Sequence, residues 1–240
     1  MRLLGVLGGM SWTSTETCYR LLNTGVAERL GGLHSARLLL HSVDFDDIAT
    51  RQHAGDWDGT AHILTRAATG LAAAGAEGLL LATNTMHKVA EAVQDASGLE
   101  LLHIADATAA AIRAQGLARV GLVATAFTME DGFYVERLAQ HGIEAVVPGA
   151  SARADVHRII YDELVCDVVR SESRERFRDV MADLVADGAE GMILGCTEVG
   201  LLVGPTDTTV PTFDTCRLHA AAAVDWMLAD TVGDGRTCSA

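Results

Sequence analysis

The 240-residue chain lacks both common nucleotide signatures, any zinc-protease motif, and any apolar run long enough to span a bilayer. Its glycine-rich stretch Gly8-Gly9-Met10-Ser11 has neither the GxGxxG spacing of dinucleotide folds nor the GxxxxGK spacing of phosphate loops, so nucleotide binding is unsupported. The nine histidines fall in no HExxH or similar arrangement, and neither a metal nor another cofactor is expected. Five cysteines (Cys18, Cys166, Cys196, Cys216, Cys238) are scattered, odd in number and without CxxC spacing, which excludes a zinc ribbon or small disulfide scaffold and points to a reducing cytoplasm. Basic residues are scarce, 18 Lys and Arg against 32 Asp and Glu, for a formal charge of −14. That balance opposes a broad nucleic-acid surface, although one focused Arg or a set of helix N-terminal amides can still hold a small carboxylate. Met1 leads directly into a strand-like segment with no basic region and separate apolar stretch before it, so no targeting signal or membrane association is expected.

What is present is a soluble α/β pattern with 49% apolar residues, ample for a core. Strands are expected at residues 3–7, 36–40, 78–82 and 101–104, with helices at about 13–30, 62–74, 86–96 and 106–115 between and after them. Near Gly116 the pattern restarts: Val120-Gly121-Leu122-Val123 parallels Leu4-Gly5-Val6-Leu7. Strands at 119–123, 143–147 and 191–194 follow, with helices at about 129–140, 155–169 and 174–186. The expected fold is α/β: two pseudo-symmetric domains, each a mainly parallel sheet flanked by helices, with the active site between them. The boundaries are 1–116 for an N-terminal domain, 117–208 for a C-terminal domain, and 209–240 for a strand and helix (209–213, 216–228) returning to the first, ending in a frayed tail over 232–240.

The duplication is sharpest in two segments, GAEGLLLATNTMH from Gly75 to His87 and GAEGMILGCTEVG from Gly188 to Gly200. Each reads as a helix end, an apolar strand and a polar loop, and Thr83 and Cys196 fall at equivalent positions. Parallel strands bind ligands at their carboxyl ends, where the unusual polar loops of this chain all begin. Those loops supply Gly9, Met10 and Ser11; Asn84 and Thr85; Thr125 and Thr128; and Thr197 and Glu198 as candidate substrate contacts. Helix capping by Ser, Thr and Asp is the competing explanation for several of them. Backbone amides at the start of a turn after Cys196 would lower its thiol pKa, which makes Cys196 the candidate nucleophile or base. His87 and Asp214 are placed behind the site, supporting the loops without touching ligand. Arg51 and Gln52 are the preferred partners of a distal carboxylate, with Arg158 a weaker one.

The segments at 7–12, 41–45, 83–88, 103–107, 195–198 and 213–215 (LGGMSW, HSVDF, TNTMHK, HIADA, GCTE and FDT) resemble the aspartate/glutamate racemase family, the pyridoxal-phosphate-independent amino acid racemases, over nearly the whole chain. Within it the likeness is greatest to the bacterial broad-specificity subgroup with Thr in place of the first Cys. The resemblance implies an interdomain site, a homodimer, an acidic amino acid as substrate, and an acid and a base on opposite faces of the substrate Cα, here Thr83 and Cys196. One thiol in the paired positions keeps other readings open. They are a single-Cys decarboxylase of a substituted malonate, a hydantoin racemase, and a non-catalytic acidic amino acid binding protein.

Overall fold

The computed structural model describes residues 1–229; the expected frayed tail and Cys238 lie outside the described residues. In chain order the elements are β1 (Leu4–Gly8), α1 (Trp12–Leu30), β2 (Leu38–Ser42), α2 (Phe45–His53), α3 (Trp57–Ala73), β3 (Gly78–Leu81), α4 (Ala90–Ser97), β4 (Leu101–Leu102) and α5 (Ile104–Ala114). The second series is β5 (Arg119–Val123), α6 (Ala126–Glu130), α7 (Phe133–Gln140), β6 (Glu144–Val146), α8 (Ala150–Asp162), α9 (Ser171–Ala186), β7 (Met192–Leu194), α10 (Val199–Leu202), β8 (Thr212–Asp214) and α11 (Thr215–Leu228). All strand pairs are parallel, and the two four-stranded sheets have the same order, β2-β1-β3-β4 and β6-β5-β7-β8. In each sheet the order reverses between the two central strands, the place where loops diverge and leave a crevice at the strand ends. Gly9 to Ser11 follows β1, Thr83 to Thr85 follows β3, Thr125 to Thr128 follows β5, and Cys196 to Glu198 follows β7.

Several expectations shift for local reasons. Helix α2 lies where no helix is expected; Asp44 caps it by accepting from the Asp46 amide, and its short apolar face buries Ile48. Helix α3 begins five residues before the expected start because Asp56 caps it through the Gly59 amide. The expected helix at 129–140 is broken into α6 and α7 at Gly132, whose φ of 76° is open to glycine at little cost. The expected helix at 155–169 instead starts at Ala150 and stops at Asp162, and a 3-10 turn spans Leu164–Cys166.

The described residues divide into two compact units, one made of Met1–Ala82, Glu91–Leu102 and 220–229, the other of Thr83–Ala90 and His103–His219. These limits differ from boundaries at 116 and 208. The strand expected to return to the first half is β8, and it pairs with β7 of the second sheet, with Phe213 beside Ile193. Only the later part of α11 belongs to the first unit. There the Met227 carbonyl accepts from the Arg2 amide, and Trp226 Nε1 donates to Glu100 at 2.9 Å. The second unit's core gathers Val120, Leu122 and Val123 from β5, Ile193 and Leu194 from β7, and Tyr134, Phe177 and Val180 from the helices over them.

Candidate active site

Thr83 and Cys196 belong to one unit. The duplication suggests one loop for each half, but hydrogen bonds attach the loop after β3 to the second unit. Asn84 Nδ2 donates to Thr215 Oγ1 at 3.0 Å, and Thr215 Oγ1 donates to the Leu194 carbonyl at 3.0 Å, two residues before Cys196. Since the single hydroxyl proton of Thr215 is spent on that carbonyl, its oxygen must accept from Asn84, which fixes the orientation of the Asn84 amide. Asn84 Oδ1 is then turned the other way. Among the described residues it has no donor, although it is buried. A buried acceptor left in this state costs free energy unless a ligand or water donates to it.

Thr85, Thr125 and Thr128 put three buried hydroxyls in mutual contact, with oxygens 3.1 to 3.2 Å apart. Thr125 stands at the N-cap position of α6 with an extended backbone, yet its side chain makes no capping bond. Asn84 before the 3-10 turn Thr85–Val89 and Glu198 before α10 have helical backbone angles instead, and their side chains make no capping bond either. Capping therefore does not account for these three side chains. It does account for Ser11, which caps α1 by accepting from the Ser14 amide at 3.3 Å.

Cys196 reverses an expectation. The amides of Glu198 and Val199 do approach its sulfur and favour the thiolate, but burial and the adjacent Glu198 carboxylate outweigh them and push the thiol well above its ordinary value. Cys196 Sγ donates to Glu198 Oε2 at 2.9 Å, and Thr197 Oγ1 donates to the same oxygen at 2.7 Å. The resting sulfur is a protonated thiol held against a carboxylate.

His87 is buried and acts on the backbone of the Thr83 loop. Its Nδ1 lies 2.9 Å from the Thr83 carbonyl, and its Nε2 lies 3.2 Å from the Ile104 amide that opens α5. Only the neutral tautomer protonated at Nδ1 satisfies both. Burial, followed by the nearby rings of His103 and His219 at centroid distances of 4.6 and 5.6 Å, holds its pKa well below the usual histidine range. His87→Phe leaves the carbonyl and the amide without partners, at about 1–3 kcal/mol for each. The expected result is a lower urea midpoint together with weaker activity, measured on the same preparations.

In the first unit, Gly9 has φ of 93°, and a Cβ there would lie 2.2 Å from the Val43 carbonyl oxygen, so no larger residue fits. Its amide donates to Thr15 Oγ1 at 2.8 Å, and Met10 beside it is buried. Arg51 is held by Asp56 at 2.7 Å, and Gln52 is buried on α2. Arg158, in the second unit, pairs with Glu163 at 3.3 Å. Asp214 accepts from the Arg217 amide at 3.1 Å and pairs with its guanidinium, which makes it a first-turn anchor of α11. Among the described residues no group of three His, Cys, Asp or Glu side chains could hold a metal ion, and no helix is long and apolar enough to cross a membrane.

The family description for Asp/Glu/hydantoin racemases matches residues 7–223, nearly the whole chain. The chain belongs to the Asp/Glu/hydantoin racemase family. Among solved structures, this racemase is similar to a protein named as a putative Asp/Glu racemase from Yersinia pestis, with 50% identity and a TM-score of 0.90 over 95% of this chain and 100% of that one. It is also similar to an aspartate racemase homologue from Pyrococcus horikoshii OT3, with 30% identity and a TM-score of 0.81 over 95% and 99% of the two chains. A glutamate racemase from Francisella tularensis subsp. tularensis SCHU S4, solved with D-glutamate, shares 17% identity and a TM-score of 0.64 over 98% and 84%, a likeness of fold alone. The racemase is accordingly an enzyme of the amino acid racemase class.

The sequence of this racemase carries no local signal for the role of Thr215. Its segment Phe213-Asp214-Thr215 stands at a strand end, but its partner Asn84 is 131 positions away, and no local pattern links the two. The acid side of the stability profile also follows from the loop's support. His103, held at about 4 chiefly by burial, and His87 both take up protons in the unfolded chain before the folded one does. Their contribution is full above the unfolded value near 6.5 and is lost as pH falls toward about 4. Denaturant midpoints should fall across that window, and His103→Asn, which keeps a good N-cap for α5, should flatten the fall.

Proposed function

We propose that this racemase interconverts the enantiomers of an acidic amino acid, glutamate or aspartate, by proton transfer at Cα without a cofactor, with Cys196 serving one face and Thr83 the other. Racemisation needs a proton taken from one side of Cα and another delivered to the opposite side, so an acid and a base must flank a planar carbanion. The observation that carries the reading is the Asn84–Thr215–Leu194 bridge, which ties the Thr83 loop to the end of the strand bearing Cys196. The names of the Yersinia and Pyrococcus relatives support the choice of substrate class.

The roles follow from chemistry. The hydroxyls of Thr85, Thr125 and Thr128 can turn their protons from one another toward the substrate α-carboxylate and stabilise charge that spreads onto it as the α-proton leaves. The α-ammonium donates to Asn84 Oδ1, filling the acceptor that otherwise lacks a donor, and its positive charge makes the α-hydrogen more acidic. Thr83 acts through its own hydroxyl or through a water it holds, since an alcohol is a weak base unless assisted. Recognition of the distal carboxylate by Arg51 requires that Arg51 exchange Asp56 for the ligand.

Proton NMR of L- and D-glutamate and L- and D-aspartate in deuterated water tests the reading. The expected result is loss of the α-proton signal together with loss of optical rotation for at least one amino acid. Stable signals in all four, with folded protein that binds the ligands, would overturn it and favour a decarboxylase or a binding protein.

A further inference from the structure

Glu198 stands where capping would explain an acidic residue, at the start of α10, but its side chain does not cap. It is buried, and Oε2 receives two side-chain donors, the Cys196 thiol at 2.9 Å and the Thr197 hydroxyl at 2.7 Å. The sulfur is approached from its other neighbours by the amides of Glu198 and Val199. The thiol proton therefore lies between sulfur and carboxylate oxygen, and each of the two has donors that support its negative form. The amides stabilise a thiolate, and the Thr197 hydroxyl stabilises a carboxylate.

We propose that Glu198 is the proton acceptor of Cys196, taking the thiol proton when Cys196 must act as a base and holding the protonated sulfur in place when Cys196 acts as an acid. This rests on the racemase reading for its purpose, though not for its geometry. In the first step the S–H bond breaks, an O–H bond forms on Oε2, and the pair keeps a charge of −1. The thiolate then takes the α-hydrogen, which leaves a thiol, a carboxylic acid and a substrate carbanion. Once the opposite face has delivered its proton to the carbanion, the proton on Glu198 passes through solvent to the donor on that side and the carboxylate is restored. In the other direction the group on the opposite face takes the α-hydrogen, and the resting thiol supplies its proton to the carbanion. The proton gained on the opposite face then passes through solvent to the thiolate, while the carboxylate holds the sulfur in place. Glu198 acts through Cys196 and is a positioning residue in this sense.

The prediction separates two quantities that an ordinary supporting residue would move together. In Glu198→Gln the negative charge beside the sulfur is gone, so the thiolate becomes easier to form. Alkylation of Cys196 by iodoacetamide, followed by mass spectrometry of its peptide, should rise about tenfold or more at pH 8, with its pH midpoint moved down. Below that midpoint, where the sulfur is still a thiol, exchange of the substrate α-hydrogen should nevertheless fall by about 10²-fold or more, because the amide cannot accept the proton, and it should recover as the thiolate forms at higher pH. Glu198→Asp, which keeps a carboxylate, should retain a high alkylation midpoint and recover part of the exchange. An alkylation profile in Glu198→Gln equal to wild type would overturn the proposal, and so would faster alkylation with exchange undiminished. If wild type exchanges no amino acid while Glu198→Gln still shifts alkylation, the proton-sharing pair stands and the racemase reading falls.

Discussion

Cys196→Ala is expected to lower exchange of the substrate α-hydrogen by on the order of 10³-fold or more, with the protein still folded. The effect is large because the duplicated loop supplies Thr83 in the position equivalent to Cys196, and no second thiol stands ready to take over. The substitution removes the sulfur and leaves Glu198 with its bond from Thr197, so the loop after β7 keeps most of its local support. Deuterium incorporation into both enantiomers, followed by NMR beside a thermal melt, checks the result. Exchange within tenfold of wild type would show that another group serves that face. Cys196→Ser is a stricter version. It preserves a donor to Glu198, yet the higher pKa of an alcohol should leave exchange nearly as low as in the alanine variant.

Thr83→Ala carries the second large effect, and its form matters more than its size. Racemisation should fall by about 10²-fold or more, while one enantiomer still exchanges its α-hydrogen with solvent and keeps its configuration. Cys196 alone can remove a proton and return a deuteron on the same face; inversion needs the other side. Chiral chromatography of material recovered from deuterated water separates exchange from inversion. Equal loss of exchange from both enantiomers would assign Thr83 to general support of the site. Thr83→Cys should raise racemisation and bring the two directions closer in rate, since a thiol accepts a proton far more readily than an alcohol.

The residues that were legible in the sequence were those whose signal is local. Thr83 and Cys196 stand out because two copies of one helix-strand-loop segment place them in register, and both loops do follow central strands. Gly9 belongs to the same class, since a glycine run after a first strand marks close backbone approach, and the Val43 backbone indeed occupies the place of its Cβ. The ambiguity between capping and ligand contact could not be resolved from residue type. Ser11 caps a helix, whereas Thr125, Asn84 and Glu198 hold cap positions and turn their side chains elsewhere. Backbone pattern places a residue at a cap, but partners distant in the chain decide where its side chain points.

By itself the sequence determined the alternation of strands and helices, the repetition of one topology, and the polar loops at the strand ends, because hydrophobic period and turn chemistry act over a few residues. Only the tertiary structure decided that β8 completes the second sheet and that the Thr83 loop belongs to the second unit, because Asn84 and Thr85 hydrogen-bond to residues far along the chain and His87 accepts from the Ile104 amide. It also decided the state of Cys196. A helix start in sequence predicts amides that favour a thiolate, and those amides are present; burial and the charge of Glu198, which depend on what surrounds the sulfur in three dimensions, override them.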